Sequence, residues 1–248
     1  MSITRRMFLG SAFALMSWVQ AMAVGADEEP LPLPDPTTGF VTERFGSWGY
    51  AAGRDPDDGQ LDVLISANTA STTTLLAFDA ANRAAVGQVT APTSVTVTLR
   101  RPLSGDEITA LARTAGVPIT GYTARAVEEQ GLRVTIGGPG APPEAGGSVM
   151  PTLAAPPTRP DSTPTPPNPR AGFRGYVTLD VTADADQIAT LLADDRVFTV
   201  DAVRVTAVAR GRAALIANDP SFTALPLRLT MQTPLYGWLE DYGIAPMP

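Results

Sequence analysis

Hydrophobic residues recur along this chain at two spacings, and the two spacings separate strands from helices. Leu61, Val63 and Ile65 alternate with differently facing positions behind the turn signal Asp58-Gly59, which predicts a strand within a β-like stretch from Phe40 to about Val89. Leu75–Phe78 and Ala85–Val89 predict a second hairpin about Asp79–Asn82, with a short helix over Ala80–Val86 as the competing reading because alanine favours helix. Val95, Val97 and Leu99 alternate with Thr96 and Thr98 as a half-buried strand. Ser104 and Glu107 then have the spacing of a capping box, Ile108, Leu111, Ala112 and Ala115 fall at helical spacing, and Gly116 stands where a helix-terminating glycine belongs. Two further strands follow over 121–127 and 132–136, turning at Gln130-Gly131.

The pattern then repeats. Val177, Leu179 and Val181 predict a strand, Asp184 and Gln187 a weaker capping box, Ile188, Leu191 and Leu192 a helix face, and Val203, Val205 and Ala207 a closing strand. Leu225, Leu227, Leu229 and Met231 read as a strand that Pro226 assigns to a sheet edge. Thr233-Pro234 opens a short helix carrying Leu235, Trp238, Leu239 and Tyr242 on one face and ending at Gly243. Between the two repeats, residues 139–170 hold eleven prolines, too many for packed secondary structure. Strand–helix–strand–strand, insertion, strand–helix–strand predicts an α+β fold of ferredoxin-like kind, with two helices on one face of the sheet and a β-hairpin region before it. Two separate modules are the alternative, but each would have one helix and two or three strands, marginal for independent stability. The expected divisions are a leader at 1–26, an acidic Pro-rich tail at 27–39, a first half at 40–138, a linker at 139–172, and a second half with a capping helix at 173–248.

Composition narrows the chemistry by what it lacks. The 248 residues contain no Cys and no His, and all 18 basic residues are Arg, so Lys is absent too. Imidazole-assisted nucleophiles, Schiff bases, lysine-dependent phosphate loops, and zinc, haem or iron–sulfur sites with His or Cys ligands all drop out. Only carboxylate, hydroxyl and guanidinium chemistry remains, and no disulfide can brace the fold. Without its leader the chain carries a net charge of about −9, which disfavours nucleic acid and anionic membrane surfaces as partners.

At the N-terminus, Thr4-Arg5-Arg6-Met7-Phe8-Leu9-Gly10 resembles the twin-arginine export motif, carried by Arg5, Arg6, Phe8 and Leu9, with Gly10 where that family prefers Lys. An apolar stretch from Met7 to about Val19 follows. Ala21-Met22-Ala23 offers a small-x-small cleavage site, and a second cut falls after Ala26. The resemblance implies export to the periplasm or beyond. A retained leader, just long enough to span a bilayer, is the alternative, and would be the chain's one membrane contact.

Several clusters carry the residue types of binding or catalytic sites. Asp55 to Asp62 has the flavour of a calcium loop, one residue short of the required spacing, and otherwise reads as an acidic, solvated turn. Glu128-Glu129 and Asp194-Asp195 are adjacent acids whose side chains point apart, unlike the facing pair that glycoside hydrolysis needs. Gly137-Gly138-Pro139-Gly140 follows a strand as phosphate loops do, but with no helix or Lys behind it reads as entry to the linker. Arg204, Arg210 and Arg212 read as protection on an outer strand face, with anion binding as the lesser reading. Trp238 and Tyr242 either cap the core or face a partner. Finally, Gln187–Ala202, QIATLLADDRVFTVDA, resembles the end of subtilisin-type propeptides and related protease inhibitors, which implies a ferredoxin-like module that grips a protease by a sheet edge and a C-terminal tail.

No catalytic, cofactor-binding or metal-ligating residue is expected, and no cofactor. The expected function is an exported, non-enzymatic binding protein of the cell envelope or secretome, inhibitor-like in build, with a protein or envelope component as partner. A carboxylate-dependent hydrolase of envelope polysaccharide and a membrane-anchored structural envelope protein are the alternatives.

Overall fold

The computed structural model describes residues 40–55, 59–127, 133–140, 172–231 and 235–246. The leader motif, its cleavage sites, the acidic tail, the Pro-rich linker, Glu128-Glu129 and the turn at 130–131 lie outside the described residues.

A four-stranded sheet opens the fold. Strands β1 (Val41–Arg44), β2 (Trp48–Arg54) and β3 (Leu61–Ala67) form an antiparallel meander, and the late strand β9 (Leu227–Met231) joins β3 in parallel, giving the order β1-β2-β3-β9. Pro226 thus precedes an edge strand, and its carbonyl accepts from the Leu61 N–H where the pairing with β3 begins. Helix α1 (Thr72–Ala85) follows β3, where the alternating apolar pattern predicts a hairpin. Its start is fixed by Ser71, whose Oγ accepts from the Thr74 N–H while Thr74 Oγ1 accepts from the Ser71 N–H. Leu75, Phe78, Asn82 and Ala85 are its buried residues, at helical spacing.

The second sheet has five strands in the order β6-β5-β7-β4-β8, with every neighbouring pair antiparallel. They are β4 (Thr93–Leu103), β5 (Ile119–Val127), β6 (Arg133–Pro139), β7 (Gly172–Ala183) and β8 (Val197–Val200). The closing strand is therefore Val197–Val200 and not the Val203–Ala207 run. Gly137, Gly138 and Pro139 belong to β6, with Gly138 opposite Tyr122, rather than to a linker. Since β6 and β7 flank β5 and both run antiparallel to it, they are parallel to each other.

Two helices cover one face of this sheet. Helix α2 (Gly105–Ala115) is capped by Ser104 and Glu107 and ended by Gly116 at φ 67°, and α3 (Ala185–Ala193) is capped by Asp184 and Gln187. Ile108 and Leu111 from α2, Ile188 and Leu191 from α3, and Val97 and Leu179 from the strands share one core. Val177 does not follow Leu179 and Val181 onto this face. It is the extra residue of a bulge opposite Thr123–Ala124, and it joins the other core with Phe198.

That other core lies between the two sheets. It joins α1, α4 (Val203–Asn218) and α5 (Leu235–Asp241) to Tyr50, Val63 and Ile65 of the first sheet and to Phe198 and Val177 of the second. Both sequence halves therefore build one mixed α+β body. Among the described residues no helix is long and apolar enough to cross a membrane.

Candidate functional site

The run Val203-Arg204-Val205-Thr206-Ala207 alternates like a strand but folds as the first turns of α4, because Val203, Ala207, Gly211 and Leu215, four residues apart, are all buried on its inner face. The helix has no local cap. Ala202 offers no side chain, and the Val203 N–H is met by Asn82 Oδ1 of α1 at 3.0 Å. Arg204, Arg210 and Arg212 accordingly lie on a helix and not on an outer strand face, and they have separate partners. Arg210 is exposed and pairs with Glu43 at 2.7 Å.

Arg204 is buried and ties the helix to β4. It donates to the Ser94 carbonyl at 3.0 Å and to Thr96 Oγ1 at 3.1 Å, and lies 2.7 Å from Asp201 Oδ2. Asp201 also accepts from the Thr96 N–H at 2.6 Å, and Thr96 Oγ1 donates to Asp180 at 2.7 Å. Burial raises the Asp201 carboxyl from 3.8 to about 6 against the opposing pull of Arg204.

Arg212 contrasts with its neighbours. Its Nη2 reaches only the Leu225 carbonyl at 3.3 Å, its Nε is buried without a partner, and among the described residues no carboxylate pairs with it. Arg204 and Arg212 line an open groove of about 500 Å³. One wall is α4 (Val205, Val208, Ile216), the other is the segment Val89–Thr93, and β9 supplies Leu227 and Leu229. Leu227 is 38% exposed, one of few large apolar side chains so open. An apolar trough with a guanidinium in its wall, along a strand whose outer edge is open among the described residues, is suited to holding an extended segment that carries a carboxylate.

Among the described residues, the acids singled out in the sequence do not converge on a cleft. Asp55 and Asp62 are neither a solvated turn nor a cation cage. Both are buried and bind the Arg228 guanidinium, Asp62 through both oxygens at 2.7 Å. Asp194 pairs with Arg196 at 2.6 Å, and that hydrogen-bonded guanidinium holds its carboxyl below the usual range, while Asp195 is exposed. Each of the four carboxylates buried among the described residues is bound by an arginine: Asp55 and Asp62 by Arg228, Asp201 by Arg204, and Glu240 by Arg125. No group of three potential metal ligands gathers among the described residues. Trp238 is 8% exposed and stacks on Tyr242 at 6.0 Å, and the Tyr242 hydroxyl donates to the Thr69 carbonyl at 2.9 Å.

Sequence reasoning singled out the arginines of α4 but placed them on a strand, and it missed the groove. The available signal was the four-residue spacing of small and apolar positions from Val203 to Leu215. No family model matches the chain, and comparison with curated proteins and with solved structures also gives no match.

Proposed function

We propose that this chain is an exported, non-catalytic interaction protein of the envelope or secretome, and that the groove between α4, β9 and residues 89–93 seats its partner. The observation that carries the reading is the contrast within the site. Among the described residues every buried carboxylate is already committed to an arginine, whereas no carboxylate there pairs with Arg212, which lies beside exposed Leu227 on an open strand edge. Such a surface grips by burial and charge and has no acid–base pair with which to react.

A ferredoxin-like core with an inhibitor-like mode of action is the finer form of this proposal. It is supported by the order β8-β4-β7-β5 and by the β-α-β pattern on either side of the insertion, with β6 as an added edge strand. The segment similar to subtilisin-type propeptides forms α3 and β8 of that unit. The hydrolase alternative has the raised carboxyl of Asp201 in its favour, but that residue is 1% exposed and bonded to β4 and Arg204.

The test joins export to binding. N-terminal sequencing of exported material is expected to give a start at Val24 or Asp27. Partner capture from the secretome, together with inhibition of secreted protease activity, is expected to saturate with the parent and to be lost in Leu227→Asp. Substrate turnover by the purified chain, or capture unchanged by Leu227→Asp, would refute the proposal.

A further inference from the structure

We propose that the groove's resident occupant is the chain's own sequence Glu28–Pro36, added to the free edge of β9 as a further strand. The inference rests on the groove as a binding surface, and it requires no external partner. The Leu61 N–H donates to the Pro226 carbonyl at 2.8 Å, so residues 226, 228 and 230 turn their backbone groups toward β3. Leu227 and Leu229, one step out of phase, turn theirs to the open edge and their side chains to the groove.

The sequence Glu28-Glu29-Pro30-Leu31-Pro32-Leu33-Pro34-Asp35-Pro36 matches that edge in three ways. In an extended chain the N–H and C=O of one residue point to one side and those of the next to the other. Proline at every second position therefore strips donors from one side only, while Glu29, Leu31, Leu33 and Asp35 keep theirs on the other. Such a strand can pair once and then ends the sheet. The same parity places the Leu31 and Leu33 side chains together on one face, as an apolar trough requires. The acids supply the charge that Arg212 lacks among the described residues.

The reach is sufficient. Val41, Ala52, Val63 and Leu229 lie in one row across the sheet, so the added strand would stand four inter-strand spacings, about 19 Å, from β1. The seven steps from Leu33 to Phe40 span about 22 Å at the extension of a Pro-rich chain.

The absence of cysteine gives a clean test in the exported chain beginning at Asp27. Leu227→Cys is combined in turn with Leu31→Cys, Leu33→Cys and Pro32→Cys, and Leu33→Cys is also combined with Thr42→Cys on β1. After mild oxidation of dilute protein, an intrachain disulfide to position 227 is expected from Leu31→Cys or Leu33→Cys, with at least tenfold lower yield from Pro32→Cys and none to position 42. Equal yields at all three positions, a bond to position 42, linked dimers, or no bond would overturn the proposal. A readout without cysteines is hydrogen exchange of residues 227–231, which should quicken at least tenfold in Leu31→Asp/Leu33→Asp and would stay unchanged if the idea is wrong. Disulfides without partner capture leave this inference standing and sink the interaction reading; capture without disulfides does the reverse.

Discussion

Gly211 is a position at which helix propensity and packing predict opposite signs. In the interior of an exposed helix, Gly→Ala stabilises by about 1 kcal/mol. Here α4 lies against β2, and a methyl group built on Gly211 would fall 2.5 Å from Ala52 Cβ and 3.3 Å from the Tyr50 ring. Non-bonded carbons rest at about 3.5–4.0 Å, so the helix and the sheet would have to part by roughly 1 Å. Both obstacles are buried, and the nearer one is fixed to the backbone, so little relaxation is open to it. Overpacking costs about 1–3 kcal/mol, and a contact this short belongs at the upper end, about 2–3 kcal/mol, which after the propensity gain leaves a net loss of about 1–2 kcal/mol. For a chain of this size that lowers Tm by about 2–8 °C. Thermal unfolding followed by circular dichroism measures it directly. Ala52→Gly removes the opposing methyl, so Ala52→Gly/Gly211→Ala should melt above Gly211→Ala alone. If Gly211→Ala melts at or above the parent, α4 does not approach β2 as described.

Three further outcomes follow from the same geometry. Glu240 receives Arg125 through two hydrogen bonds of 3.1 and 2.5 Å with both side chains buried, so Glu240→Ala should cost about 3–5 kcal/mol in urea unfolding, and a loss below about 1 kcal/mol would contradict the pairing. Asp201 has a folded-state pKa of about 6 against 3.8 ordinarily, so between those values the folded chain holds a proton that the unfolded chain releases. Its contribution to stability therefore falls as pH rises through that window, and Asp201→Asn should flatten the slope of urea midpoints measured from pH 4 to 6. Glu107 is held at about 2, first by its hydrogen bond from Arg101, so its contribution is present above its ordinary 4.5 and is lost as pH falls toward 2. Ser104→Ala removes the other half of that cap and should cost about 1 kcal/mol, and an unchanged Tm would argue against the cap.

The candidate site was only half legible in the sequence. The spacing alone marks Arg204, Arg210 and Arg212 as protection on an outer strand face, with anion binding as the lesser reading, and Leu227 and Leu229 as an edge strand. That these two elements face each other across a groove follows from the parallel pairing of β9 with β3, residues more than 160 positions apart, and nothing local encodes it. The acids show the same limit. Adjacent Asp residues look solvated in sequence, yet Asp55 and Asp62 are buried because Arg228 arrives from β9 to meet them.

What the sequence determined by itself are the elements whose signals are local. The alternation in β3 and β4, the capping pairs Ser104/Glu107 and Asp184/Gln187, and the terminating glycines Gly116 and Gly243 all act through neighbours within a few residues. Tertiary structure decided the rest. Helix α4 begins where it does because Asn82, 121 residues away, receives its first N–H, and the period-two pattern of Val203 to Ala207 carries no hint of that donor's partner. Helix α1 replaces a hairpin because Leu75, Phe78, Asn82 and Ala85 find a core between two sheets that the segment alone cannot supply. Local hydrogen bonds can be read from spacing, whereas burial depends on which distant surface arrives, and that is fixed only when the sheets close.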